Sequence, residues 1–132
     1  MPSLLRLALL DPRLNKLRYA FAIAMFLSII VTGSIPGVRA GVGQYASGMV
    51  LHSLAYATLT LLWFTASRGS AASRSLAAVL AVAVMGAIDE LVQSLFPFRG
   101  ADIGDWMVDC SAAIVTCAVL WLVLPKWALQ RS

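Results

Sequence analysis

Apolar residues fill four long stretches of the chain, and the polar residues gather at the breaks between them. The stretches cover about residues 17–35, 45–66, 74–96 and 103–124. At about 1.5 Å rise per residue, each is long enough as a helix to cross a hydrocarbon core of about 30 Å. Gly33, Pro36 and Gly37 end the first, Ser67-Arg68-Gly69-Ser70 the second, Pro97 the third and Pro125 the fourth. A shorter apolar run, Leu4 to Leu10, precedes the breaker Asp11-Pro12 and is too short to span, so it is expected to lie flat on the membrane surface. The third stretch is rich in alanine and carries Gly86; Ala77, Ala81 and Gly86 are expected where this helix meets its neighbours, because small side chains let backbones approach. The pattern predicts an all-α, polytopic membrane protein: a four-helix transmembrane bundle forming a single domain over residues 1–132.

Composition agrees. Hydrophobic residues make up 61% of the 132 and charged residues 12%, values of an integral membrane protein rather than a soluble globule. The formal charge of +4 does not point to nucleic acid, because the basic residues are scattered in short loops. They carry a topology signal instead. Arg6, Arg13, Lys16, Arg18, Arg68, Arg74, Lys126 and Arg131 fall on one side, while Arg39 and Arg99 fall on the other. Excess lysine and arginine mark the cytoplasmic side, so both termini are expected there, in a multi-pass protein of a bacterial cytoplasmic membrane. Trp63, Trp121 and Trp127 then lie near the inner interface, and Tyr45 and Trp106 near the outer one. The basic start and Val38-Arg39-Ala40 also fit a cleavable signal; three further spans favour an uncleaved first helix. Cys110 and Cys117, about 10 Å apart along one helix, are too distant for a disulfide. With one histidine and no Cys/His ligand spacing, no metal motif is present.

The segment Asp89 to Asp109 holds five of the six acidic residues, between two apolar spans. Ionisable groups at such positions are costly and mark functional sites. His52 on the second span, Glu90 and Gln93 on the third, Arg99 and Asp102 in the following loop, and Asp105 and Asp109 on the fourth all fall within about 10 Å of the outer membrane surface. His52 and Tyr56 share a helix face, as do Asp105 and Asp109, and Glu90 and Gln93. Asp89 points about 100° away from Glu90, so only one of the two is expected to look into the bundle. His52, Glu90, Gln93, Arg99, Asp105 and Asp109 are expected to form one connected cluster. Several of these residues also have plainer roles: His52 as an interhelical tie to Glu90 or Asp109, Glu90 and Gln93 as partners of Arg99, and Asp102 as the N-cap of the fourth span.

His52-x-x-x-Tyr56, Asp89-Glu90-x-x-Gln93 and Pro97-x-Arg99-x-x-Asp102-x-x-Asp105 resemble the signature of the VanZ-like membrane proteins over about residues 36 to 120. The resemblance implies a small multi-helix membrane fold and a link to resistance against the glycopeptide teicoplanin, which attacks cell-wall precursors outside the membrane. The chain departs from that pattern at Gly48 and Met49, where the family often has Asp-Lys, at Asp109 in place of asparagine, and at Ala112 in place of glycine.

The resulting expectation is a cell-envelope protein that recognises a lipid-linked or cell-wall head group at the outer leaflet. The ligand-binding set is His52, Tyr56, Asp89, Glu90, Gln93, Arg99, Asp102, Asp105 and Asp109, and neither a cofactor nor a metal ligand is assigned. The partner is a membrane lipid or lipid-linked cell-wall precursor; dimerisation would supply the second half that a transporter needs. The alternative is a membrane-embedded enzyme in which Glu90, His52 and Asp105 do acid–base work with a divalent cation such as Mg²⁺ on the clustered carboxylates. A third reading is a structural subunit. No Ser/His/Asp, Walker or zinc pattern assigns a catalytic residue.

Overall fold

A computed structural model describes residues 4–129. Among these residues seven α-helices follow in order: α1 (Leu4–Leu10), α2 (Asn15–Gly33), α3 (Val38–Gly43), α4 (Gly48–Ala66), α5 (Ala71–Ser94), α6 (Ile103–Val123) and α7 (Lys126–Leu129), with a 3-10 turn at Pro12–Leu14 between the first two. Four of them, α2, α4, α5 and α6, are long and apolar enough to cross a membrane. They form an all-α, membrane-spanning bundle in which α4 packs against α2, α5 and α6, and α5 packs against both α4 and α6. Arg131, counted in the charge asymmetry, lies outside the described residues.

Local chemistry sets the helix ends. Ser47, Ser70 and Asp102 occupy the N-cap positions of α4, α5 and α6, each accepting from a backbone N–H in the first turn. The capping role expected of Asp102 is therefore present, with Gly104 N–H donating to its Oδ1 at 2.7 Å. The segment read as a plain loop after the first span contains the short helix α3, entered through Gly37 at φ 83°, a conformation that side chains with a Cβ rarely adopt.

α5 shows why membrane helices look uniformly apolar in sequence. Leu76, Leu80, Val84, Ile88, Leu91 and Leu95 are exposed at helical spacing and form a face suited to lipid. The opposite face buries Arg74, Ala78, Val82, Met85, Gly86, Asp89, Glu90 and Gln93. Gly86 meets its neighbours as expected, but Ala77 does not: it is exposed, and Ala78 is buried in its place. Ala81 is half-buried. One residue is a rotation of about 100°, and alanines on both sides of the helix conceal it.

The two ends of the bundle differ in chemistry. At one end two buried arginines tie the last turn of α4 to other segments. Arg74 donates to the carbonyls of Phe64 and Ala128, at 3.0 and 2.6 Å, with its guanidinium 4.2 Å above the Phe64 ring. Arg18 donates to the carbonyls of Ala8, Asp11 and Thr65 and to Asn15 Oδ1. Helix C-termini carry unsatisfied carbonyls and negative potential, which suits buried guanidinium groups. Between the ends lies an apolar core built on Ala22, Phe26, Leu59, Leu62, Val82, Met85 and Ala113. The other end is where the acidic residues collect.

Candidate functional site

The start of α4, the end of α5 and the start of α6 lie at one end of the bundle, because successive spans alternate in direction. This brings His52, Glu90 and Asp105 together: one donor atom from each lies within 4.8 Å of the others. The side chains are sheltered, with His52 12% and Asp105 18% exposed, and Glu90 7% exposed as a residue.

Hydrogen bonds fix how each group is presented. His52 Nδ1 lies 2.9 Å from Asp109 Oδ1, and Asp109 is fully buried. With Asp109 ionised, its oxygen accepts, the ring proton sits on Nδ1 and the lone pair of Nε2 is available. Nε2 lies on the Asp105 side, 3.7 Å from Asp105 Oδ2. Glu90 is anchored by one oxygen, Oε2, which accepts from the Asp102 backbone N–H at 2.6 Å. Its other oxygen, Oε1, is buried with no hydrogen-bond partner among the described residues.

Asp109 keeps its position because α5 has a glycine opposite it. A Cβ on Gly86 would stand 2.9 Å from Asp109 Oδ2 and 3.1 Å from Trp106 Cδ1. The indole N–H of Trp106 crosses to the carbonyl of Ala83 at 2.9 Å, pinning α6 to α5. Both contacts need a small residue at position 86. The sequence singled out Gly86 for packing, but nothing in it linked that glycine to the orientation of His52.

A second polar group lies beside the first. Tyr56, one turn below His52, stacks on its ring at 5.8 Å between centroids and 9° between planes. Its hydroxyl donates to Asp89 Oδ2 at 3.1 Å. Asp89 and Glu90 are therefore both buried, against the expectation that only one would face inward. The reason is the place of α5, which has α4 and α2 on one side and α6 on the other, so neighbouring acids find separate partners. Arg99 donates to Gln93 Oε1 at 2.5 Å and to the carbonyl of Gly33, at the end of α2, at 3.0 Å. Glu90, expected among the partners of Arg99, accepts from the Asp102 N–H through Oε2.

The residues of the expected cluster lie in two neighbouring groups that share His52. His52, Glu90, Asp105 and Asp109 belong to the α4–α5–α6 side. Tyr56, Asp89, Gln93 and Arg99 line a cavity of about 230 Å³ on the α2 side, and His52 also lines that cavity. Asp102 serves as cap and loop anchor. Sequence reasoning missed the contribution of α2 and α3, which supply Ile29, Thr32, Gly33, Val38 and Val42 to this cavity. The only available signal was an arginine positioned to reach the carbonyls at the end of α2.

Comparison of the chain with protein-family models, curated proteins and solved structures finds no match. What the site does therefore has to be argued from its own residues. They define a membrane-embedded, all-α protein with a buried His/Glu/Asp cluster capable of coordinating a metal ion.

Proposed function

We propose that the protein is a membrane-embedded enzyme that works with one divalent cation held by His52, Glu90 and Asp105. One observation carries this reading: three donors of metal-ligating type, from three different helices, lie within 4.8 Å of one another in a sheltered position. Charge balance supports it. Glu90, Asp105 and Asp109 surround one imidazole in a low-dielectric setting, where clustered carboxylates favour a bound cation. The Glu90 oxygen that lacks a protein partner is of the kind such an ion uses. One imidazole nitrogen with two carboxylates suits Mn²⁺ or Zn²⁺ better than the Mg²⁺ expected for carboxylates alone.

The surroundings match those of histidine ligands generally. A ligating histidine gives its other ring N–H to a carboxylate, which fixes the tautomer and ring orientation; Asp109 stands in that relation to His52. When bound, the cation supplies polarisation of a substrate oxygen and acidification of a coordinated water. The chain supplies the rest. Asp109 holds the imidazole, the Asp102 N–H holds Glu90, and Asp105 adds the third donor from α6.

A second reading is recognition of a lipid-linked or envelope head group without chemistry. It is favoured by the polar-ended cavity that shares His52 with the cluster. The lysine/arginine pattern supports an outer position for this end of the bundle, with the termini in the cytoplasm.

The test uses the full chain, purified without a histidine tag in non-ionic detergent and titrated calorimetrically with Mn²⁺, Zn²⁺ and Mg²⁺. One Mn²⁺ or Zn²⁺ per chain is expected, with binding lost in His52→Ala and weakened in Glu90→Gln. No binding by the wild type would overturn the metal reading. Incubation with a membrane-lipid extract, followed by mass spectrometry, then separates the two functions. Products that require Mn²⁺ and Glu90 support the enzyme, whereas binding without any product supports recognition alone.

A further inference from the structure

α5 carries two buried polar side chains, one turn apart, that both line the cavity of about 230 Å³ between α2, α3, α4 and α5. Asp89 and Gln93 are 2% and 4% exposed, and their spacing of four residues puts them on one helix face, with Cβ atoms about 6 Å apart. The bonds that hold them also set what each presents. Tyr56 O–H donates to Asp89 Oδ2 at 3.1 Å, and Asp89 Oδ1 has no hydrogen-bond partner among the described residues. Arg99 donates to Gln93 Oε1 at 2.5 Å. A guanidinium only donates, so the amide oxygen faces Arg99 and the amide nitrogen is turned away from it. That nitrogen too has no acceptor among the described residues. An acceptor, Asp89 Oδ1, and a donor, the Gln93 amide N–H, therefore stand side by side in one wall. Much of the remaining lining is apolar, with Ile29, Val38, Val42, Leu51 and Ala55. Thr32 and Val42 are exposed, so the cavity opens to the surface there.

We propose that this cavity binds a neutral lipid alcohol, whose hydroxyl donates to Asp89 Oδ1 and accepts from the Gln93 amide while the start of its hydrocarbon chain lies along Ile29, Leu51 and Ala55. The occupant follows from matching donors to acceptors. Buried polar atoms left unmatched are costly, so the ligand has to bring a donor to Asp89 and an acceptor to Gln93. A hydroxyl does both through one oxygen. A phosphate would set its oxygens against a carboxylate, and an ammonium would offer Gln93 no acceptor. A hydrogen bond to an ionised carboxylate is the stronger kind, so the hydroxyl hydrogen decides most of the selectivity. Size agrees. The cavity is smaller than the roughly 300–1,000 Å³ of sites that enclose a whole drug-sized ligand, so it takes the polar end and the first part of a chain whose remainder lies in the bilayer. Neither a bound cation nor the charge of Arg99 is needed to hold this ligand. A lipid alcohol gives the recognition reading of the cavity its chemical class and rests on that reading, not on the metal.

The experiment is native mass spectrometry of the full chain in lauryldimethylamine oxide, a detergent without hydroxyl groups, with EDTA present so that no cation contributes. The probes are oleyl alcohol, oleyl methyl ether, oleylamine and oleyl phosphate. One oleyl alcohol per chain is expected, bound about tenfold or more tighter than the methyl ether, which keeps an acceptor for Gln93 but has no hydrogen for Asp89. Oleylamine and oleyl phosphate should both bind more weakly than the alcohol. Asp89→Asn keeps the side-chain shape and an oxygen for Tyr56 but turns an N–H toward the cavity, so alcohol and ether should bind it equally. Ala55→Phe, which fills the apolar wall, should weaken oleyl alcohol about tenfold or more and serves if Asp89→Asn does not fold. Equal binding of alcohol and ether by the wild type, or full retention of the alcohol preference in Asp89→Asn or of the affinity in Ala55→Phe, would overturn the proposal. Tighter binding of oleylamine or oleyl phosphate would remove the alcohol and leave lipid recognition standing, whereas binding of none of the four would remove both.

Discussion

Replacing Gly86 with alanine tests whether packing between α5 and α6 sets the chemistry of His52. In an exposed helix interior this change stabilises by about 0.5–1 kcal/mol, because alanine loses less backbone entropy. Here the new methyl would stand 2.9 Å from Asp109 Oδ2, 3.1 Å from Trp106 Cδ1 and 3.4 Å from Asp109 Cβ. Neither neighbour yields easily. Asp109 is fully buried and bonded to His52, and Trp106 is bonded to the Ala83 carbonyl. Overpacking of this kind costs about 1–3 kcal/mol, so the overpacking term outweighs the propensity gain and a net loss of about 1 kcal/mol is expected. The second effect is on the site. Asp109 must swing away from Gly86, which disturbs the acceptor of the His52 N–H and should lower metal affinity by about 10–100-fold, the usual effect of losing an outer partner of a ligand. Thermal unfolding in detergent and an Mn²⁺ titration read the two effects separately. A melting temperature that rises, together with unchanged Mn²⁺ affinity, would show that Asp109 has room and that its bond to His52 does not orient the ring.

Further predictions address other parts of the structure. Asp109→Asn retains an oxygen acceptor for the His52 N–H and should keep Mn²⁺ affinity close to that of the wild type, whereas Asp109→Ala should lose about 10–100-fold; equal losses in calorimetry would count against an orienting role. Arg74→Met should destabilise by about 2 kcal/mol or more, because the buried carbonyls of Phe64 and Ala128 lose their donor; an unchanged melting temperature would contradict this. For topology, single cysteines placed at positions 39 and 100 in a background with Cys110 and Cys117 replaced should react with an impermeant reagent on intact cells. Cysteines at 69 and 130 should not, and labelling at 69 would reverse the orientation.

Much of the fold is legible in the residues. The breakers Gly33, Pro36, Pro97 and Pro125 place three helix ends within a few residues of where they fall, because these residues act locally. α3 was not legible: Val38-Arg39-Ala40-Gly41-Val42-Gly43 is too short and too rich in glycine to announce a helix. Helix rotation was only partly legible. Leucine and valine on the lipid face are as apolar as the core, so period alone did not separate Ala77 from Ala78 or show that Asp89 and Glu90 both have neighbours. The acid–base set of Glu90, His52 and Asp105 was readable from depth, since three spans bring polar residues to one level. Its division from the Tyr56, Asp89, Gln93 and Arg99 group was not, because that depends on α2 crossing beside α4.

The metal site has one spectroscopic consequence that stability changes cannot imitate. His52 is the only histidine in the chain, so nitrogen coupling of imidazole type to a bound ion can come from no other residue. Pulsed electron paramagnetic resonance on the tag-free protein loaded with one equivalent of Mn²⁺ should show modulation from a single directly coordinated imidazole nitrogen. That signal should vanish in His52→Gln and persist in Arg99→Gln. Bound Mn²⁺ without nitrogen modulation, or modulation that survives His52→Gln, would contradict a cation held by His52, Glu90 and Asp105.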